Sequence, residues 1–187
     1  NTIPTISQLL SHTGGMNTHG FLGYKPNRKI IPTIENVIDG KHTFLWESEI
    51  KIKNKVNSEF NYSGGGYCYL QKVIKDTKGE LFRTVMQKEL LQPLNMKNSY
   101  FGLNPNKEDD IAYGYKNGKP IKFGYRVYPQ EAAAALWTNS FDYSQLLLEV
   151  LAGLNDDKSS ILTKESIALL KSPAKLSNGK LIRSGLG

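Results

Sequence analysis

Three consecutive glycines, Gly64-Gly65-Gly66, stand between Tyr62-Ser63 and a stretch whose apolar residues recur at helical spacing. Tyr67, Leu70, Gln71 and Ile74 share one face of that stretch, which predicts a helix over 64–78 that Gly79 stops. A helix that opens on glycines constrains its surroundings, because glycine lets another backbone or a ligand approach closely. The backbone N–H groups of a first helical turn hold anions or orient polar groups. Spacing alone leaves two readings open. Either the segment faces a substrate, or it is a turn that sends Tyr67 into the core.

The rest of the chain reads as short elements. Ile6 to Leu10 is an apolar helical turn ended by Gly14-Gly15. Residues 16–48 are long loops with a short helix near 33–39. Ile50, Ile52 and Val56 alternate with lysines and predict an extended segment with a wet face. A helix over 80–91 ends at Pro93. Residues 99–128, rich in Tyr, Gly and Phe, read as a hairpin turning at Asn117-Gly118. Thr138 or Ser140 caps a helix that runs to about Leu151 and ends at Gly153, and Thr163 starts another over Lys164–Lys171. The fold class is α+β, mainly helical with a few short strands, in one unit over 1–187.

Composition excludes several functions. The longest apolar runs fall well short of the roughly 18 residues that cross a bilayer, and Asn1-Thr2-Ile3-Pro4-Thr5 carries no secretory pattern. The single cysteine, Cys68, permits no disulfide within the chain and reads as a small buried hydrophobe. His12, His19 and His42 show no zinc spacing. Net charge is +7, carried by 20 Lys and 4 Arg. The densest cluster, Lys51 to Lys55, alternates with other residues and reads as a solvated face rather than a nucleic-acid site. A basic surface still favours anionic partners such as cell-wall polymers. Trp46 and Trp137 read as core residues.

Four segments, in order, resemble the penicillin-recognising serine hydrolase family of class C β-lactamases, D-alanyl-D-alanine carboxypeptidases and related esterases. Ile6-Ser7-Gln8-Leu9-Leu10-Ser11-His12-Thr13-Gly14-Gly15 resembles its Leu-Leu-Ser-His-Thr-Ser-Gly segment. Tyr62-Ser63-Gly64 resembles its Tyr-Ser-Asn motif. Pro93-Leu94-Asn95-Met96 with Ser99 resembles its Pro-Leu-Gly-Met segment, and Ala132 to Thr138 with Asp142 resembles its Ala-Gly-Gly-Leu, aromatic, Ser-Thr, Asp segment.

The resemblance implies a β-lactamase/transpeptidase-like fold, of which this chain covers mainly the helical subdomain. It implies an acyl-enzyme mechanism in which a Ser-x-x-Lys serine attacks a carbonyl, a lysine and a tyrosine move protons, and a late Lys-Thr-Gly or His-x-Gly strand helps bind the oxyanion. Tyr62 takes the place of the proton-relaying tyrosine, with Ser63 and Gly64 at the substrate. No cofactor is implied. The substrate is a small molecule or peptide bearing an ester, amide or D-amino-acid bond, with cell-wall material as a partner, and the location is periplasmic or secreted in a bacterium. Gly64 departs from the motif, because the family's Asn hydrogen-bonds the substrate amide, and this tells against β-lactam and peptide recognition and favours an esterase-like or uncharacterised relative.

Three Ser-x-x-Lys matches occur, at Ser48, Ser172 and Ser177, a number close to what chance gives at this serine and lysine content. None sits where a nucleophile should open a buried helix, and the family places that motif before the Leu-Ser-His-Thr segment. His12-Thr13-Gly14 and Tyr115-Lys116-Asn117 mimic other family motifs but read as structural and as turn chemistry. The expectation is therefore a central piece, its nucleophile pair before residue 1 and its late strand after residue 187. The rival reading is a non-catalytic peptide- or glycan-binding module of the same fold, and a basic nucleic-acid binder is the weaker third. On the leading reading the 187-residue chain alone is catalytically silent. Incubation with a fluorophosphonate or a fluorescent penicillin is expected to leave it unlabelled, and stoichiometric labelling would contradict this.

Overall fold

The computed structural model describes residues 3–44, 48–105, 110–155 and 161–182. Its helices are α1 (Ile6–Leu10), α2 (Ile34–Ile38), α3 (Gly64–Lys78), α4 (Phe82–Met86), α5 (Glu131–Ala134), α6 (Ser140–Leu154) and α7 (Lys164–Lys171). Its strands are β1 (Tyr100–Phe101), β2 (Tyr115–Lys116), β3 (Lys119–Pro120) and β4 (Leu136–Trp137). The α+β expectation, helices with a few short strands, matches this architecture.

α3 is the hub, packing against α1, α2, α4 and α5. Its ends follow from sequence. Ser63 caps the start by accepting from the Gly66 N–H, and Gly79 closes the end in the left-handed conformation at φ 69°. It buries Cys68 and Leu70, on different sides of the helix, in a cluster with Leu9, Met16, Ile34, Val37, Ile38 and Ile50. Each such fully buried aliphatic side chain contributes about 1.5–3 kcal/mol. Cys68 is fully buried there, as a small core residue. α2 is a single turn held by a reciprocal Thr33/Asn36 capping box. Its Glu35 pairs with Lys75 of α3 at 2.6 Å.

The three glycines are explained by their neighbours. A Cβ on Gly65 would stand 2.7 Å from Ile50 Cγ2 and 2.9 Å from Thr18 Cβ, and one on Gly64 would stand 3.2 Å from the Phe21 ring. The loop over residues 16–21 thus lies directly on the first turn of α3.

A second cluster, Leu91, Leu94 and Met96, forms where α4 continues into a π-helical turn over Gln87–Leu91 and a tight turn around Pro93. It packs on Phe101 and Leu146. β1 pairs antiparallel with β4, Tyr100 opposite Trp137. This differs from the expected hairpin over 99–128. The hairpin is only β2–β3, turning through Asn117 (φ 52°) and Gly118 (φ 75°), while residues 100–101 take a long-range partner. The lysine-rich segment is extended as expected, but Ile50 alone is buried and Ile52 is exposed.

α6 corrects two expectations. Its cap is Asn139, whose Oδ1 accepts from the Asp142 N–H at 2.8 Å, while the Thr138 hydroxyl bonds Ser99. Gly153 does not end it. The residue lies within the helix, where a Cβ would meet Ile167 Cγ1 at 2.6 Å, so it permits the close packing of α7. Trp137 is half-buried, with Nε1 donating to the Gly102 carbonyl at 3.1 Å. Trp46 lies outside the described residues.

The glycine contacts yield a paired expectation. Gly65→Ala should cost about 1–3 kcal/mol by overpacking. Gly66→Ala, whose new methyl meets nothing nearer than 3.6 Å, should be neutral or stabilising by up to about 1 kcal/mol. Denaturant unfolding of the two variants checks this, and equal effects would contradict it.

Candidate functional site

Thr5 caps α1 and Gln8 reciprocates, which fixes the first turn. The chain then reverses through His12, held in the left-handed region at φ 56°, and the Thr13 N–H returns to the Gln8 carbonyl at 2.8 Å. This reversal drives the His12 ring into the protein, where only 5% of the residue is exposed. Its Nδ1 accepts from the Ser63 N–H at 3.1 Å, and its carbonyl accepts from the Asn61 N–H at 2.9 Å. An accepting Nδ1 places the imidazole proton on Nε2. Burial holds the His12 pKa below the ordinary value of 6.5, and nearby His19 acts in the same direction.

These bonds position Tyr62. The His12 ring lies 4.4 Å from the Tyr62 ring and 5.3 Å from that of Tyr67. On the other side His19 lies 5.0 Å from the Tyr62 ring, and its Nδ1–H donates to the Tyr62 carbonyl at 3.1 Å. Tyr62 is held between two imidazoles yet remains 49% exposed, and its hydroxyl has no partner among the described residues. Tyr67 is different. Its hydroxyl donates to the Leu10 carbonyl, and burial together with adjacent Tyr62 raises its pKa, keeping it protonated.

Ser63 and Gly64, expected at the substrate, are both buried. Ser63 is buried, its hydroxyl donating to the Thr18 carbonyl at 2.6 Å and accepting from the Gly66 N–H at 3.2 Å. The Gly64 and Gly65 N–H groups donate to the carbonyls of His19 and Thr18 at 2.8 and 3.1 Å. The first turn of α3 is therefore committed internally and is not an open anion site. Both residues hold the backbone under Tyr62. An asparagine at position 64 would press on the Phe21 ring and the His19 carbonyl.

The Ser-x-x-Lys matches are not nucleophile sites. Ser48 is in exposed extended chain, Ser172 follows the last turn of α7 and donates to the Ala168 carbonyl, and Ser177 sits before the Asn178-Gly179 turn and donates to the Asn57 carbonyl. Tyr115 and Lys116 are in hairpin strand β2, as turn chemistry predicts. Among the described residues no cluster of three His, Cys, Asp or Glu side chains is placed to hold a metal ion, and no helix is long and apolar enough to cross a membrane.

A model of the beta-lactamase family matches residues 2–185. The chain belongs to the beta-lactamase family. Solved structures share its fold. The octameric penicillin-binding protein homologue from Pyrococcus abyssi is 23% identical with a TM-score of 0.60, over 96% of this chain and 41% of that one. A D-amino acid amidase from Ochrobactrum anthropi SV3 is 16% identical with a TM-score of 0.70, over 97% of this chain and 52% of that one. The penicillin binding protein from Bacillus halodurans is 15% identical with a TM-score of 0.63, over 91% and 51%. This chain thus spans about two fifths to one half of the length of those proteins. No curated protein matches it in sequence.

The family segments prove to be fastened to one another. Asp142, almost fully buried, accepts from the Asn98 N–H at 2.7 Å and the Ser99 hydroxyl at 2.8 Å, joining the third segment to the fourth. Gln71 of α3 donates to the Pro129 carbonyl at 3.0 Å and accepts from the Ala132 N–H at 3.2 Å, joining the helix after the second segment to the fourth. Sequence reasoning missed these partnerships. The available signal was a polar residue, Gln71, on an otherwise apolar helical face.

The His12 geometry sets a pH dependence. Its folded-state pKa lies below its unfolded value, so the unfolded chain takes up a proton first as pH falls. Stability is therefore full above about 6.5 and declines below it, by at most ~1.4 kcal/mol per pH unit for one proton. His12→Asn, which keeps a residue tolerant of positive φ, should be less stable than the parent at neutral pH and lose this component. Denaturation midpoints between pH 7.5 and 5 check both statements, and an unchanged pH slope in the variant would contradict the assignment.

Proposed function

We propose that this chain is the Tyr62-bearing wall of a serine hydrolase that works through an acyl-enzyme, with the serine and lysine nucleophile pair supplied by sequence of the whole protein outside residues 1–187. The observation that carries this reading is Tyr62 itself. Its backbone is pinned by His12, His19 and the first turn of α3, while its hydroxyl points to no partner among the described residues. A rigid mount with an uncommitted phenol is what a proton relay between nucleophile and leaving group requires. The partial length relative to the similar structures supports the division of labour, and the decoy serines of this chain sit on loops and helix ends.

The same geometry supports a substrate class. Gly64 carries no amide to meet a substrate amide, and a Cβ there would already stand 3.2 Å from the Phe21 ring and 3.3 Å from the His19 carbonyl. This supports esters over β-lactams or peptides, since an ester demands no amide recognition. A D-aminoacyl or similar small acyl ester is the favoured substrate, in a periplasmic or secreted bacterial setting where cell-wall material carries such bonds. Ser63 and Gly64 act by positioning. The missing amide side chain at Gly64 would also suit a module that binds peptide or glycan without turnover, and kinetics separate the two.

In the whole protein, Tyr62→Phe should lower kcat for a p-nitrophenyl ester by about 10²–10⁴-fold with KM little changed. The unfolding midpoint should stay within about 0.5 kcal/mol of the parent, since no bond in the described structure is lost. Undiminished ester turnover in Tyr62→Phe would remove Tyr62 from the mechanism. Absence of turnover in the parent would favour the binding module.

A further inference from the structure

Seven cationic side chains pair with carboxylates among the described residues. Four others share one open cavity of about 780 Å³ with none of those pairs. Lys25, Arg28, Lys116 and Arg126 line it, together with Phe44 and Asn27, and no carboxylate among the described residues does.

The cavity is built rather than incidental. Tyr24 and Val127, both nearly fully buried, exchange backbone hydrogen bonds at 2.8 and 2.9 Å. That exchange clamps the loop carrying Lys25 and Arg28 beside the segment carrying Arg126. Gly23 permits it, being left-handed at φ 69° with Arg126 Cβ only 2.8 Å from where its own Cβ would be. The β2–β3 hairpin brings Lys116. Both guanidiniums are held in place. Arg28 lies 4.4 Å over the Tyr24 ring and 5.2 Å over the Phe44 ring, which stack on each other at 4.9 Å, and it donates to the His42 carbonyl at 2.9 Å. Arg126 donates to the carbonyls of Lys122 and Tyr125 at 3.2 Å.

Four like charges in one concavity repel, and a low-dielectric wall concentrates their potential. Guanidiniums stacked on aromatic rings and tied to carbonyls lose little freedom when an oxyanion arrives, so its binding costs less entropy. We propose that this cavity binds a compact ligand bearing two or more oxyanions, phosphate or carboxylate, at a site separate from Tyr62. The arrangement suits an anionic segment of a larger substrate or an anionic effector, which share this chemistry.

Calorimetric titration of the protein with inorganic tripolyphosphate and with citrate, at 20 and 200 mM salt, tests the proposal and separates the two oxyanion sources. One-to-one binding of at least one probe is expected, weaker at the higher salt. R28Q or R126Q should weaken it by about tenfold or more, and K88Q, which removes a lysine paired elsewhere with Glu80, should leave it unchanged. If either arginine variant fails to fold, the double variant Lys25→Gln/Lys116→Gln, at exposed positions, should show the same loss. No binding at low salt, equal weakening by K88Q, or tighter binding of a mixed-sequence oligonucleotide than of tripolyphosphate would each overturn the assignment.

Discussion

The docking of the first turn of α3 onto the loop over residues 16–21 is the constraint on which the rest depends. Two N–H groups that a helix ordinarily leaves unsatisfied, those of Gly64 and Gly65, donate to the carbonyls of His19 and Thr18. Ser63 satisfies a third and reaches back to the same loop. Only glycine allows so close an approach, since a β-carbon at 65 would overlap Ile50 and Thr18. With the loop seated, His19 reaches the Tyr62 carbonyl and His12 takes the Ser63 N–H from below. The exposed phenol of Tyr62 is thus the outermost part of a polar network that ties His12, His19 and Ser63 together.

The same logic extends through the molecule. Asp142 closes the turn after the Pro-Leu-Asn-Met segment, and Gln71 holds the start of α5 against α3. Removing either partner strands buried donors, at roughly 1–3 kcal/mol each. The short strands contribute little by comparison. The four segments that resemble the beta-lactamase family are therefore also the places where the helical part is fastened together, with the proposed chemistry concentrated at Tyr62.

Local signals made much of this legible. Thr163 caps its helix, Gly79 closes α3, and Asn117-Gly118 turns the hairpin, because each is decided by neighbours three or four residues away. What failed was decided at long range. β1 pairs with β4 across 35 residues of chain, and Gly153 serves a packing contact with Ile167 rather than a helix end. In the candidate site, Tyr62 was singled out by resemblance. The commitment of Ser63 and the close contacts at Gly64 were not legible, because both follow from a loop more than 40 residues upstream. The four-cation cavity was hidden for the same reason, its members lying at 25–28, 116 and 126.

The central claim is that the first turn of α3 is consumed in holding Tyr62 and does not itself bind anions. Amide hydrogen exchange of Ser63, Gly64, Gly65 and Gly66, followed by NMR with and without added sulfate, measures this directly. The account predicts that all four amides are protected to the level of global unfolding and keep their chemical shifts as sulfate is added. Rapid exchange at these amides, or sulfate-dependent shifts confined to them, would contradict it.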